Sequence, residues 1–213
     1  MTYSTAIVDY GAGNVTSVRN AFATIGADAV VTRDAAVVAV AERIVFPGVG
    51  AAQSAMANLR EMGLVDAVRA AAVSGRPFLG ICLGMQILFE RSEEDGGVET
   101  LGVIAGRVRR FPSVSGFKVP EIGWNAVAHK AREECARCGQ EPVAGLVAGW
   151  RAAEFYFVHS YYAEIVPETI GTSEYAGVEF TAMVRRGRLW ACQVHPEKSG
   201  RIGLNLLKEW MSC

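Results

Sequence analysis

The chain has 213 residues, 51% of them hydrophobic, with 21 Lys and Arg against 22 Asp and Glu and a formal net charge of -1. That length and apolar content can bury a substantial core, so a single domain over 1–213 is expected, while the near-zero charge gives no electrostatic case for nucleic acid. No basic leader precedes a long apolar stretch and no run approaches the ~18 apolar residues of a membrane span, and the five cysteines, an odd number, fit a reducing compartment better than a disulfide framework. A soluble, cytoplasmic protein with no membrane partner is expected.

In chain order, strand-like apolar runs at Ala6–Val8, Ala29–Thr32, Arg43–Phe46 and Pro77–Ile81 alternate with helical stretches near Val15–Ile25, Ala51–Met62 and Leu64–Ser74. This is the βαβ rhythm of a parallel sheet with helices on both faces. Past about Gly102 the texture changes to short β-like segments at Val103–Phe111, Val119–Ala128, Glu154–Ile165, Thr172–Tyr175 and Thr181–Arg185. The last turns through Arg186-Gly187 into Arg188–His195, and a helix over Gly200–Met211 closes the chain. The fold class is therefore α/β: a three-layer sandwich around a mostly parallel sheet, with a mixed β extension in the C-terminal half.

After the first strand, Gly11-Ala12-Gly13-Asn14-Val15-Thr16 imitates a dinucleotide loop, but Thr16 occupies the third glycine position, so no nicotinamide or flavin cofactor is expected. Pro47-Gly48-Val49-Gly50 sits between a strand and a helix, where backbone amides at a strand's carboxyl end can face a ligand or an oxyanion. Gly80-Ile81-Cys82-Leu83-Gly84 has the form of a nucleophile elbow. An apolar strand enters it, a helix over Met85–Glu90 is expected to leave it, and flanking glycines permit a sharp turn that exposes the thiol. A helix starting there would aim its amide end at the sulfur and favour the thiolate.

The spacing of Cys135-Ala136-Arg137-Cys138 is that of a zinc knuckle, but no second pair follows, so no metal is expected. Of the three histidines, His129 lies in a polar stretch and reads as solvated. His159 has no acid within two residues and reads as structural or substrate-lining. His195 ends a strand-like run with Glu197 two residues on; in an extended chain both side chains would share a face, the carboxylate holding one imidazole nitrogen while the other faces Cys82. A thiol, an imidazole and a carboxylate point to acyl transfer.

Taken together, Pro47-Gly48-Val49-Gly50, Gly80-Ile81-Cys82-Leu83-Gly84-Met85-Gln86 and His195-Pro196-Glu197 resemble the class I glutamine amidotransferase family. Three further stretches, Asp9-Tyr10-Gly11-Ala12-Gly13-Asn14, Lys118-Val119-Pro120-Glu121-Ile122-Gly123-Trp124-Asn125 and Phe157-Val158-His159-Ser160-Tyr161-Tyr162, are similar to the glutaminase subunits of imidazole glycerol phosphate synthases. The resemblance implies that Cys82 attacks the side-chain amide of glutamine, with His195 and Glu197 completing the triad. Gly48, Val49, Gly50, Leu83, Gln86, Ser160 and Tyr161 would form the oxyanion and glutamine sites. It also implies a heterodimer with a cyclase subunit that receives the ammonia, with Asn14, Lys118, Pro120, Trp124 and Asn125 near the interface, although composition alone would place Trp124 in the core.

The chain departs from the family's usual residues at Glu121, where His is frequent, at Val194 and Gly200, and along Lys130 to Ala153. A sibling glutaminase serving pyridoxal phosphate synthesis shares the Cys and His chemistry but lacks the Lys118 to Asn125 pattern. A partner-independent Cys hydrolase would need only the elbow and the histidine.

Overall fold

The structure, a computed structural model, describes residues 4–11, 13–129 and 152–213; the Cys135 and Cys138 pair lies outside the described residues. Five parallel strands form one half of the sheet: β1 (Thr5–Val8), β2 (Val30–Thr32), β3 (Arg43–Gly48), β4 (Phe78–Cys82) and β13 (Leu189–Cys192), in the order β2-β1-β3-β4-β13 from its edge. Every residue of β1, β4 and β13 is buried. Strands covered on both faces need continuous apolar runs rather than alternation, and this is why those segments read as unbroken hydrophobic stretches.

Adjacent residues of one strand feed opposite layers. Ala6, Val8, Ile44, Phe46 and Phe78 pack against α2 (Ala35–Val40), α3 (Ala52–Glu61) and α4 (Val65–Val73). Ile7, Val45, Leu79 and Ile81 pack on the other side against α1 (Val15–Thr24) and the C-terminal helix α6 (Gly200–Met211). The three layers expected from the sequence follow from this period-two division.

A mixed, mostly antiparallel extension grows from β13. β12 (Val178–Arg186) pairs with it, then β10 (Tyr161–Ala163), β7 (Arg107–Arg110), and the short strands β5 (Arg91–Ser92) and β6 (Val98–Glu99). A branch runs from β12 through β11 (Thr169–Tyr175) to β8 (Glu121–His129) and β9 (Ala152–His159).

Several elements differ from the sequence reading. The predicted strand Glu154–Ile165 is two strands, broken at Ser160, whose carbonyl accepts from Phe111 N at 3.1 Å. Helix α2 went unread because Ala35-Ala36-Val37-Val38-Ala39-Val40 is β-branched and short, although Asp34 caps it by accepting from Ala36 N at 2.8 Å. The helix expected over Met85–Glu90 is a single turn, α5 (Leu83–Gln86).

Trp210 of α6 is fully buried and meets Phe22 of α1 edge to face, ring centroids 5.8 Å apart. Trp210→Ala is expected to cost about 3–5 kcal/mol of unfolding free energy by leaving a cavity between those helices. A urea titration checks it as a lower midpoint at unchanged slope.

Candidate active site

Strand β4 ends at Cys82, whose register partner on β3 is Gly48. Cys82 itself carries the strained backbone, φ 53° and ψ -111°, a conformation that costs a non-glycine residue about 1–3 kcal/mol. The turn is therefore not made by the neighbouring glycines as the sequence suggested. Gly80 and Gly84 serve close approach: a Cβ on Gly84 would lie 1.8 Å from the Phe46 carbonyl oxygen, and one on Gly80 would lie 3.0 Å from Ala191 Cβ. Gly48 has the same reason to lack a side chain, since a Cβ there would fall 2.1 Å from the buried Tyr10 hydroxyl. The single turn of α5 is thus pressed onto β3, and Cys82, 5% exposed, lines a cavity.

His195 and Glu197 meet beside the thiol, but not as an extended i, i+2 pair. Strand β13 stops at Cys192, and Pro196–Lys198 is a 3₁₀ turn that folds the carboxylate back onto the ring. His195 Nδ1 donates to Glu197 Oε1 at 2.7 Å, both side chains fully buried. The backbone beneath is held at two points: His195 N donates to Tyr156 O at 3.0 Å, and Ser199 Oγ donates to His195 O at 2.7 Å. Asn14, in a left-handed conformation at the start of α1, donates its amide to the same Glu197 oxygen. This residue, expected near a partner, touches the carboxylate directly.

The other ring nitrogen, Nε2, is buried and makes no hydrogen bond of ordinary geometry. Burial opposes a charge on the ring, but the Cys82 sulfur and then Glu197 outweigh it and push the His195 pKa up to about 10. Because this lies above the value near 6.5 of an unfolded histidine, the resulting stability is whole at low pH and lost as pH climbs through about 10.

The cavity measures about 210 Å³. Of the residues named from the sequence, Val49, Gly50, Cys82, Leu83, Gln86, Ser160 and Tyr161 line it. Gly48 does not, lying beneath Cys82 in the sheet. Pro120, expected at an interface, stands on the cavity wall.

Three groups at the site were not assigned to it from the sequence. Glu94 faces the cavity and accepts from Ala52 N at 2.5 Å; burial raises its pKa, and the amide partly counters this. It lies in Glu93-Glu94-Asp95, which reads as a solvated acidic run. Gln193 is fully buried beside Cys82, its Nε2 3.5 Å from Sγ.

The third is Glu121. It is the register partner of His159 across β8 and β9, and its Oε2 lies 3.0 Å from His159 Nε2, both side chains under 5% exposed. His159, which has no acid nearby in sequence, gains one from the adjoining strand and lines the cavity. His129, expected to be solvated, is half-buried at the end of β8.

Asn125 turns its amide onto Glu121 Oε1 at 2.8 Å. Lys118 is exposed, and its carbonyl accepts from the Tyr175 hydroxyl at 2.8 Å. Trp124 is 55% exposed and Ile122 63%, which reverses the compositional reading of Trp124 as core. Among the described residues no cluster of His, Cys, Asp and Glu could hold a metal ion, and no helix is long and apolar enough to cross a membrane.

Comparison with known proteins places this geometry. The family profile described as glutamine amidotransferase class-I matches residues 6–211. The imidazole glycerol phosphate synthase subunit HisH of Herpetosiphon aurantiacus is 45% identical over 208 residues, covering 97% of this chain and 92% of that protein. The protein of the same name from Moorella thermoacetica is 46% identical over 209 residues, covering 96% and 92%. A solved structure titled as a glutamine amidotransferase superposes with a TM-score of 0.71 at 18% identity, covering 97% of each chain, a likeness of fold.

The electrostatics of the site can be tested directly. Cys82→Ala removes the strongest influence raising the His195 pKa, so the imidazole should titrate well below its wild-type value, measured by NMR of its ring carbons.

Proposed function

Because the chain belongs to the class I glutamine amidotransferase family, and within it to the HisH subunits of imidazole glycerol phosphate synthase, we propose that Cys82, His195 and Glu197 hydrolyse glutamine to glutamate and ammonia. The observation that carries this reading is the convergence of a strained cysteine, an imidazole with one free buried nitrogen and a buried carboxylate at one end of an amino-acid-sized cavity.

The Cys82 thiolate attacks the side-chain carbonyl carbon of glutamine, and the carbonyl oxygen becomes an oxyanion. Backbone amides of Val49, Gly50 and Leu83, which line the cavity with the sulfur, are the assigned oxyanion donors, each such donor contributing about 100- to 1,000-fold in rate. His195, positively charged beside the thiolate, gives its proton to the leaving nitrogen, so ammonia departs and a γ-glutamyl thioester remains. The neutral ring then removes a proton from water, which attacks the thioester and releases glutamate with the thiol restored. Glu197 fixes the tautomer by taking the Nδ1 proton in its hydrogen bond. Glu94, also on the cavity wall, supplies a carboxylate for the substrate ammonium, while Gln86 and the backbone of Ser160 and Tyr161 hold the amino-acid portion.

The ammonia is used by a partner. In this reading a cyclase subunit forms a heterodimer with the chain, receives the ammonia, and makes imidazole glycerol phosphate and an aminoimidazole carboxamide ribotide for histidine biosynthesis. The exposed Trp124 and Ile122, with Lys118 just before β8 and Asn14 at the start of α1, supply the interface. Large apolar side chains standing in water on a single strand are what such a surface leaves uncovered before docking.

Glutamate release from glutamine should be slow for the chain alone and rise by orders of magnitude with the cyclase subunit and its nucleotide substrate. Full activity without the partner would reject the partner-gated reading, and retained activity in Cys82→Ala would reject the nucleophile. Trp124→Ala should weaken association by about 2 kcal/mol or more, measured by titration calorimetry against the cyclase.

A further inference from the structure

We propose that Gln193 is a positioning residue for the nucleophile: its side-chain amide donates to Cys82 Sγ, with a polarity dictated through Gln86 by the main-chain carbonyl of Tyr161. The proposal rests on the reading of Cys82 as nucleophile and adds a residue outside the triad and off the cavity wall.

The argument runs from the one group in the chain of contacts that has no choice. Tyr161 O can only accept, and it receives Gln86 Nε2 at 2.7 Å and His159 Nδ1 at 2.8 Å. Turning the Gln86 amide over would set oxygen against oxygen, so its nitrogen must face Tyr161. That same nitrogen lies 2.9 Å from Gln193 Oε1, so Gln193 must present its oxygen to Gln86 and its NH₂ to the sulfur, 3.5 Å away. Each amide is buried, Gln193 fully and Gln86 at 5% exposure, where an unmade or inverted hydrogen bond is costly.

An N–H aimed at sulfur distinguishes the two forms of the nucleophile. A thiolate accepts strongly and a thiol or thioester weakly, so the donor favours the charged sulfur before attack and loosens once the acyl bond forms. It also leaves Gln86 with both amide hydrogens engaged, so only its Oε1 remains for a ligand in the cavity.

The polarity has a deeper anchor. His159 donates from Nδ1 to Tyr161 O, so its Nε2 is turned to Glu121, which in turn takes the Asn125 amide. From Asn125 to Cys82 the contacts are continuous, and β8 is the strand that carries exposed Trp124.

The test uses the full chain with its cyclase subunit and two near-isosteric variants, Gln193→Met, which lacks the donor, and Gln193→Glu, which sets a carboxylate against the sulfur. Carbamidomethylation of Cys82, read by peptide mass across pH, should need a higher pH in Gln193→Met and a higher one still in Gln193→Glu. The kcat for glutamate release should fall roughly 10- to 100-fold with KM within about twofold.

A packing role alone would lower the melting temperature and leave the alkylation profile in place. Wild-type alkylation profile and kcat in both variants would overturn the proposal. If the variants do not fold, the wild-type Gln193 side-chain amide resonances decide: they should shift with the Cys82 titration, and their failure to move would overturn it. A wild-type Cys82 no more reactive at pH 7 than a free cysteine would instead remove the nucleophile reading on which the proposal stands.

Discussion

The contact on which the site depends is the approach of Gly84 to the carbonyl oxygen of Phe46. No side-chain atom can stand there, since a Cβ would be 1.8 Å from that oxygen, so the turn of helix that follows Cys82 lies flat against β3. Once it does, the chain must reverse within one residue, and that residue is Cys82, held at φ 53°. The strain of about 1–3 kcal/mol is sustained because β4, buried between β3 and β13, fixes one end of the turn and the Gly84 contact with β3 fixes the other. Every other feature of the site is arranged around a sulfur whose position is set by packing.

Around that sulfur the fold places two buried imidazole and carboxylate pairs with different consequences. In one, Glu197 takes Nδ1 of His195 and leaves Nε2 for the sulfur. In the other, a main-chain carbonyl takes Nδ1 of His159 and Nε2 stands 3.0 Å from Glu121 Oε2, so both ring nitrogens face protein groups. Similar residues therefore do unlike work: the first ring is free to move a proton, and the second is spent on holding Tyr161 and the strand pair beneath it. The chemistry of a histidine is decided by which of its nitrogens the fold has already used.

How much of this could be read in advance follows from distance along the chain. The βαβ rhythm, the elbow and the helix over Gly200–Met211 are local patterns, and the comparisons and the fold agree with the class they imply. The pairing of His195 with Glu197 was also legible, although the assumed extended geometry was wrong: a 3₁₀ turn, opened by Pro196, performs what a strand was expected to do. Glu121, Glu94 and Gln193 were not legible, because each acquires its meaning from a residue 30 or more positions away, across a strand register or a loop that local periodicity does not encode. Trp124 shows the converse, since the composition rule that buries tryptophan holds only where the fold supplies something to cover it.

The same strand explains why an external face and an internal site can be one structure. On β8 successive side chains alternate, with Ile122 and Trp124 exposed and Glu121 and Val127 buried. Glu121 reaches the cavity wall through His159, one residue from the exposed Ile122, so a displacement of β8 by even a fraction of a residue spacing alters a contact that is already misaligned for a good hydrogen bond. Asn14 likewise reaches Glu197 from the loop that opens α1. Asn14 thus touches Glu197, the carboxylate partner of His195, and Asn125 touches Glu121, the carboxylate beside His159. Each of these two carboxylates therefore has a ring beside it at the site and a side-chain amide on its other side.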